Sequence, residues 1–396
     1  DGFMRVKDNG ATVVEIPARA LADEAPIYHR EAADLYPPAP LEIGSVPELD
    51  VRDSLPQLLS DPSIASKRWV WRQYDHMVRL GCAVLPGSDA AVFIVREAGK
   101  ILAATSDCNS LYCRQDPRQG AKIAVAEAAR NLACSGAVPL AITDNLNFGN
   151  PHKPENFFQL REAIEGMAEA CREFGTPVTG GNVSLYNESP TGPIDPTPTI
   201  GMVGLIEDAK YITTQFFKHD GDVIILIGDL GNELGATHYL KLVHGRREGS
   251  PPQLEYAKEK AVHDAVRGLI RIGLVQSAHD CSEGGLAVAL VEGCLSGDKQ
   301  PLGAEIDFGE TGLRPDVLLF NETQSRVILS VKKQNAAAAI ALLEWRGVAA
   351  RRLGTVTATD VLRISADGKT YGWSLDELDS FWSQSIEKLL RDENSL

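Results

Sequence analysis

Between residues 90 and 206 short apolar runs alternate with long amphipathic stretches, and this alternation constrains the fold more than any other feature of the chain. Ala90–Arg96 and Lys100–Thr105 read as strands around a Glu97-Ala98-Gly99 turn. Gly120–Ser135 reads as an Ala-rich helix, Val138–Thr143 as a buried strand and Asn156–Phe174 as a second helix. Pro177–Thr179 and Thr199–Ile206 supply further strands. Strands and helices interleaved in this way form a sheet covered by helices, so the fold class is α/β (α+β). Three strands end in polar tips, at Asp107, Asp144 and Gly181-Asn182, and ligands gather at such ends.

The third tip belongs to the run Thr176–Ser189, TPVTGGNVSLYNES. It begins like a strand and meets Gly180-Gly181. Two glycines allow a turn at positive φ and close approach of a ligand to backbone N–H groups, and successive N–H groups form an anion site. Asn182 and Ser184 add oxygens suited to a hard cation or a polar substrate. The same run also fits an ordinary strand-to-loop turn. Asp144 likewise fits either a nucleotide or metal-bound water contact, or a capping turn.

A second domain is expected from about residue 220. It holds an apolar strand at Asp222–Gly228, a helix at Glu255–Ile272, and His279-Asp-Cys-Ser-Glu-Gly-Gly285 ahead of a helix from about Gly284 to Leu295. Gly-Gly at a helix N-terminus favours anions; alternatively Ser282 is simply the N-cap. An Ala-rich helix at Asn335–Trp345, strand at Leu353–Ile364 and a helix at Trp373–Leu390, broken once, complete it, with the last six residues frayed. Residues 17–62, rich in Pro, Ala, Asp and Glu, read as a linker with a helical stretch near Leu55–Leu59.

A chain of 396 residues exceeds one typical core. Its net charge of −15 argues against a nucleic-acid or anionic-membrane partner. Seven cysteines with no CxxC pair read as reduced thiols of a cytoplasmic protein, and Cys108 with Cys113 lacks the second pair a zinc site needs. No catalytic triad, Walker loop or Rossmann fingerprint is present; Gly228–Gly235 reads as a loop.

Five polar stretches together resemble one family: Thr105–Ser110, Ile123–Asn131, Ala141–Pro151, Gly180–Glu188 and His279–Leu286. They are similar to the C-terminal half of phosphoribosylformylglycinamidine synthase subunit II, of the aminoimidazole ribonucleotide synthetase-like superfamily, over essentially the whole chain. The resemblance implies a two-domain half of a synthetase. Residues 1–44 would be the tail of a preceding B-type domain plus linker. Residues 45–208 would be an A-type domain that pairs its sheet with another A domain, and 209–396 an α/β B-type domain. The implied reaction is ATP-dependent amidation of formylglycinamide ribonucleotide, with ammonia from a glutamine amidotransferase subunit and a small third subunit in the complex.

Matched by motif, Asp144 and Gly181 would contact ATP, Asn182 would ligate Mg2+ and Ser184 would contact substrate. No catalytic residue is assigned, because the family's catalytic histidine lies in the N-terminal half, absent here. The isolated chain is therefore expected to be inactive. His279–Gly285 and the Glu322 region would line a related auxiliary nucleotide site. Alternatives are a sister ATP-using enzyme of the superfamily, or a non-catalytic nucleotide-binding module.

Overall fold

The structure, a computed structural model, describes residues 1–295 and 300–393. It opens with a hairpin of β1 (Phe3–Asp8) and β2 (Ala11–Pro17), followed by a single helical turn, α1 (Ala18–Leu21). The turn residues Asn9 and Gly10 have φ of 47° and 85°, the left-handed pair that a two-residue hairpin turn demands. The chain then runs extended across the surface. Ala33 N donates to Pro154 O at 3.0 Å, and Ser250 Oγ donates to Pro38 O at 2.7 Å.

Helix α2 (Val51–Leu59) follows, capped by the Asp50 side chain, which accepts from Arg52 N. It begins four residues earlier than the sequence suggests. After α3 (Arg68–Trp71) comes the first sheet, in order β3-β4-β5-β10-β6-β7. Its members are β3 (Cys82–Val84), β4 (Ala91–Val95), β5 (Lys100–Asp107), β6 (Val138–Asn147), β7 (Val178–Ser184) and β10 (Thr197–Ile206). A small ribbon, β8 (Glu188–Ser189) with β9 (Gly192–Pro193), interrupts the return to β10. Helices α4 (Ser110–Gln115), α5 (Pro117–Cys134) and α6 (Pro154–Phe174) connect these strands.

Alanines of α5 and α6 close-pack with Ile142, Ile200 and Met202 on one face of the sheet. The opposite face is open, with Phe93, Thr143, Asn145 and Val203 exposed. Pairing is antiparallel except for β6 with β7, which are parallel and joined through α6, as a parallel pair requires a crossover.

The second sheet has order β12-β14-β11-β15-β13-β16-β17. Its elements are β11 (Val223–Ile227), α7 (His238–His244), α8 (Tyr256–Arg271), β12 (Val275–Asp280), α9 (Gly285–Cys294), β13 (Gly303–Asp307), α10 (Pro315–Phe320), β14 (Val327–Val331), α11 (Ala336–Trp345), β15 (Ala350–Thr357), β16 (Val361–Ala366), β17 (Lys369–Ser374), α12 (Leu375–Trp382) and α13 (Ser385–Glu393). Every residue of β11 is buried, because α9 and α10 cover one face and α8 and α11 the other.

Leu55, Leu58 and Leu59 of α2 sit in the core under this second sheet, beside Leu286 and Leu290, although α2 precedes the first sheet in the chain. The expected C-terminal break falls between Trp382 and Ser385. Of the six residues expected to fray, 391–393 continue α13 and 394–396 lie outside the described residues.

The hairpin at the start has a counterpart at the end. Met4-Arg5-Val6 through Asn9-Gly10-Ala11-Thr12 parallels Leu362-Arg363-Ile364 through Asp367-Gly368-Lys369-Thr370. The second turn repeats the first, with φ of 48° and 74° at Asp367 and Gly368. In the second copy β16 also pairs, in parallel, with β13. Among the described residues β1 pairs only with β2.

Candidate functional site

The expected glycine turn is absent: β7 runs unbroken from Val178 to Ser184, and neither Gly180 nor Gly181 has positive φ. The physical reason for Gly181 is contact instead. A Cβ there would lie 2.3 Å from Asp144 Oδ1, so the Asp144 carboxylate rests over the bare backbone of β7. β6 also continues past Asp144 to Asn147, which makes Asp144 a mid-strand residue, not a capping one.

The parallel register pairs Asp144 with Gly181 and Asn145 with Asn182. Side chains alternate along a strand, and Ile142 and Leu146 point into the helix-covered core. Asp144 therefore emerges on that face, and Asn145 and Asn182 on the open one. Asn182 Nδ2 donates to Asn145 Oδ1 at 2.9 Å, fixing the amide so that its Oδ1 stays outside that bond. One neutral carbonyl oxygen suits Mg2+ as a single ligand.

β7 is the last strand of the sheet, so a ligand lying along its outer edge would meet Asp144 over Gly181 from one face and Asn182 from the other. Partial burial pushes the Asp144 carboxyl above its usual range. The site is thus a strand edge, not a loop.

Beyond the edge the chain folds back on itself. Phe148 N donates to Ser184 O at 3.1 Å, Ser184 Oγ donates to Asn187 Oδ1 at 3.2 Å, and Asn187 Nδ2 donates to Phe148 O at 3.1 Å. Glu188 accepts from Asn150 N at 3.1 Å and Lys153 Nζ at 3.0 Å. Asn187 and Glu188 thus hold the loop that follows Ser184.

A second concavity lies between the two sheets. It is a cavity of about 410 Å³ whose walls include Lys67, Asp89, Asp107, Glu127, Asn131, His279, Asp280, Ser282 and Glu283. Asp107 and the His279–Glu283 run were expected at ligand sites. Glu127 and Asn131 belong to the Ile123–Asn131 stretch, whose sequence alone assigns them no role. Their i, i+4 spacing on a helix is the signal that places them on one face.

Asn131 Nδ2 donates to Asp107 Oδ1 at 2.8 Å. Burial, then the Asp280 and Glu283 charges, lift the Asp107 carboxyl to about 8. Burial and Glu283 likewise raise Glu127 well above its usual value. Burial opposes a charged His279, yet contact with Asp89 (2.6 Å to Nδ1) and Glu292 (2.9 Å to Nε2) wins and raises it well above the ordinary histidine range. Among the described residues no group of three or more His, Cys, Asp or Glu side chains is arranged to hold a metal ion.

Two expectations fail here. Ser282 is not the helix cap: α9 starts after Gly284 with no side-chain cap. Glu322 does not line the cavity. It is fully buried and accepts from Tyr112 Oη at 2.5 Å, His238 N at 2.9 Å and Gly284 N at 2.9 Å. It ties α4 to the starts of α7 and α9, a structural role. His76 bonds its own turn at Tyr74 O and packs against the ring of Trp71.

Comparison with known proteins follows the same division. Residues 87–206 match AIR synthase related protein, N-terminal domain, and residues 219–367 match AIR synthase related protein, C-terminal domain. The chain is 47% identical over 395 residues to phosphoribosylformylglycinamidine synthase subunit PurL of Moorella thermoacetica, covering 98% of this chain and 53% of that protein. It is 44% identical over 396 residues to the protein of the same name from Alkaliphilus metalliredigens, with the same coverage of 98% and 53%. The chain thus spans about half the length of these curated relatives. Among solved structures, T. maritima PurL complexed with FGAR superposes with a TM-score of 0.65 at 18% identity, over 84% of this chain and 54% of that one. T. maritima PurL complexed with ATP gives 0.60 at 18%, over 82% and 52%. At that identity the likeness is one of fold.

Proposed function

The chain belongs to the AIR synthase related family, and we propose that it is the C-terminal half of an ATP-dependent carbon–nitrogen ligase of purine biosynthesis. The reaction takes formylglycinamide ribonucleotide, ATP and glutamine-derived ammonia to the amidine, ADP and phosphate. The amide oxygen attacks the γ-phosphorus, ADP leaves, and the oxygen becomes part of a phosphate leaving group. Ammonia adds to the same carbon, phosphate departs, and the nitrogen gives up its surplus proton. Phosphorylation is needed because an amide oxygen is otherwise a poor leaving group.

In this proposal the residues of the β7 edge bind and orient. Asp144 and the Gly181 backbone receive ATP, Asn182 gives one oxygen to Mg2+, and Ser184 meets the ribonucleotide. Mg2+ would supply charge neutralisation of the phosphates. The partners are the N-terminal half, a glutamine amidotransferase subunit and a small third subunit, and the location is the cytoplasm. The open face of the first sheet would pair with another A-type sheet. The division into 1–44, 45–208 and 209–396 is part of the same proposal. The hairpin that repeats β16–β17 supports reading residues 1–44 as the end of a preceding B-type domain.

The observation that carries this reading is the Asp144–Gly181 contact beside a strand edge that pairs with no other strand among the described residues: a half-site, open on the side where a second half would close it. The test is reconstitution. The isolated chain should release no ADP from ATP with the ribonucleotide and ammonia, and adding the N-terminal half should restore release. Turnover by the chain alone would refute the half-site, and silence of the reconstituted pair would refute the ligase.

A further inference from the structure

The surface run between the hairpin and α2 sends one cation to the neighbourhood of Ser184. Arg30 Nη1 lies 2.8 Å from His152 Nδ1 and 3.3 Å from Nε2, a contact 122 residues apart in sequence. A guanidinium only donates, so the ring nitrogen facing it accepts. Ala33 N, donating to Pro154 O at 3.0 Å, pins the run in place, and Arg30 also lies over the Tyr28 ring, 5.6 Å from its centroid.

The His152 ring in turn leans on Tyr186, with centroids 6.2 Å apart. Tyr186 is unusual. It stands two residues past Ser184, is 55% exposed, and has φ of 63°. A bulky residue in the left-handed region is strained and persists only where its surroundings hold it. Its N–H donates to Gly149 O at 3.3 Å, and the His152 ring supplies the side-chain support.

We propose that Arg30, acting through His152, is a positioning residue that holds Tyr186 beside Ser184 to orient a phosphorylated ribosyl amide. Tyr186 supplies the contact, an amphipathic ring against sugar with a phenol to hydrogen-bond. Arg30 and His152 fix where that ring stands. This rests on reading Ser184 as the substrate contact. It also gives the extended run a function besides connection: a stretch outside both sheets sets the geometry of one edge of the first.

The experiment uses the full-length synthase with its ammonia source and the variants Arg30→Ala, Arg30→Lys and Tyr186→Gly. Arg30→Ala should raise KM for the ribonucleotide about tenfold while leaving kcat and KM for ATP within about twofold, the signature of lost binding orientation. Arg30→Lys, which keeps a donor, should recover most of the loss. Tyr186→Gly relieves the backbone strain and removes the ring, and should reproduce the KM effect without lowering thermal stability. Backbone amide exchange at residues 184–188 should quicken in Arg30→Ala. Unchanged KM in Arg30→Ala, or KM for ATP rising in step, overturns the proposal. Unchanged exchange at 184–188 overturns the relay independently of catalysis. Wild-type enzyme inert toward the ribonucleotide would instead overturn the synthase reading, with the exchange result still deciding the relay.

Discussion

Arg130 Nη1 lies 2.7 Å from Glu259 Oε1, and neither side chain has any exposed surface. Arg130 stands on α5 above the first sheet and Glu259 on α8 above the second. The same guanidinium bonds Asp280 through Nε and Gln324 through Nη2 at 3.1 Å. Glu259 is further bound by His263 at 2.7 Å and by Ser325. One arginine thus joins the two layers through a fully hydrogen-bonded ionic network.

Arg130→Met should destabilise the chain by about 3–5 kcal/mol, because it strands Glu259 and Asp280 as buried uncompensated charges. Denaturant unfolding measures it. Burial works to raise the Glu259 carboxyl, but Arg130 and then His263 override it and hold it at about 2 against an ordinary 4.5. A depressed carboxyl stabilises fully above its unfolded value and loses that contribution as pH falls through the folded one. The wild type should therefore lose stability between pH 4.5 and 2, and Arg130→Met should lose less of it there.

Asp107 has the opposite sign. Its folded carboxyl is lifted from 3.8 to about 8, so across that window the native state holds a proton the unfolded state has released. Stability falls as pH rises. Asp107→Asn should raise the melting temperature at pH 8 and leave it nearly unchanged at pH 4, read from thermal unfolding across that range. Equal effects at both ends would remove Asp107 as the source.

Gly181→Ala places a methyl 2.3 Å from Asp144 Oδ1, 2.6 Å from its Cγ and 2.8 Å from its backbone oxygen. The carboxylate must swing off the strand. Nucleotide affinity in the full-length enzyme should fall, while stability drops by about 1 kcal/mol, the ordinary cost of a substitution. Asn182→Ala, on an exposed strand, should change stability by less than about 0.5 kcal/mol and weaken the Mg2+ dependence of ATP use. Unchanged Mg2+ dependence would count against Asn182 as a ligand.

Leu58→Ala tests the placement of α2. Leu58 has no exposed surface, so truncation should cost about 2–5 kcal/mol. Amide exchange should quicken in α9 and α10, which pack on α2, and not in β7.

Local periodicity was enough to read the alternation of strands and helices, the α/β class and both polar runs, because 3.6- and 2-residue patterns are written along the chain and need no partner to be seen. The motif match gave the family the same way. What the chain could not show is everything that depends on which segments meet. Gly181 is extended because Asp144 lies across from it, a contact visible only once β6 and β7 are paired in register. α2 belongs to the second core although the first sheet follows it, since burial is settled by neighbours in space. Glu322, placed near an auxiliary nucleotide site by the family resemblance, is a buried tie between three helices. Arg30 and His152 met for the same reason: a hydrogen bond spanning 122 residues leaves no trace in local pattern, because only the folded surface brings its two ends within reach.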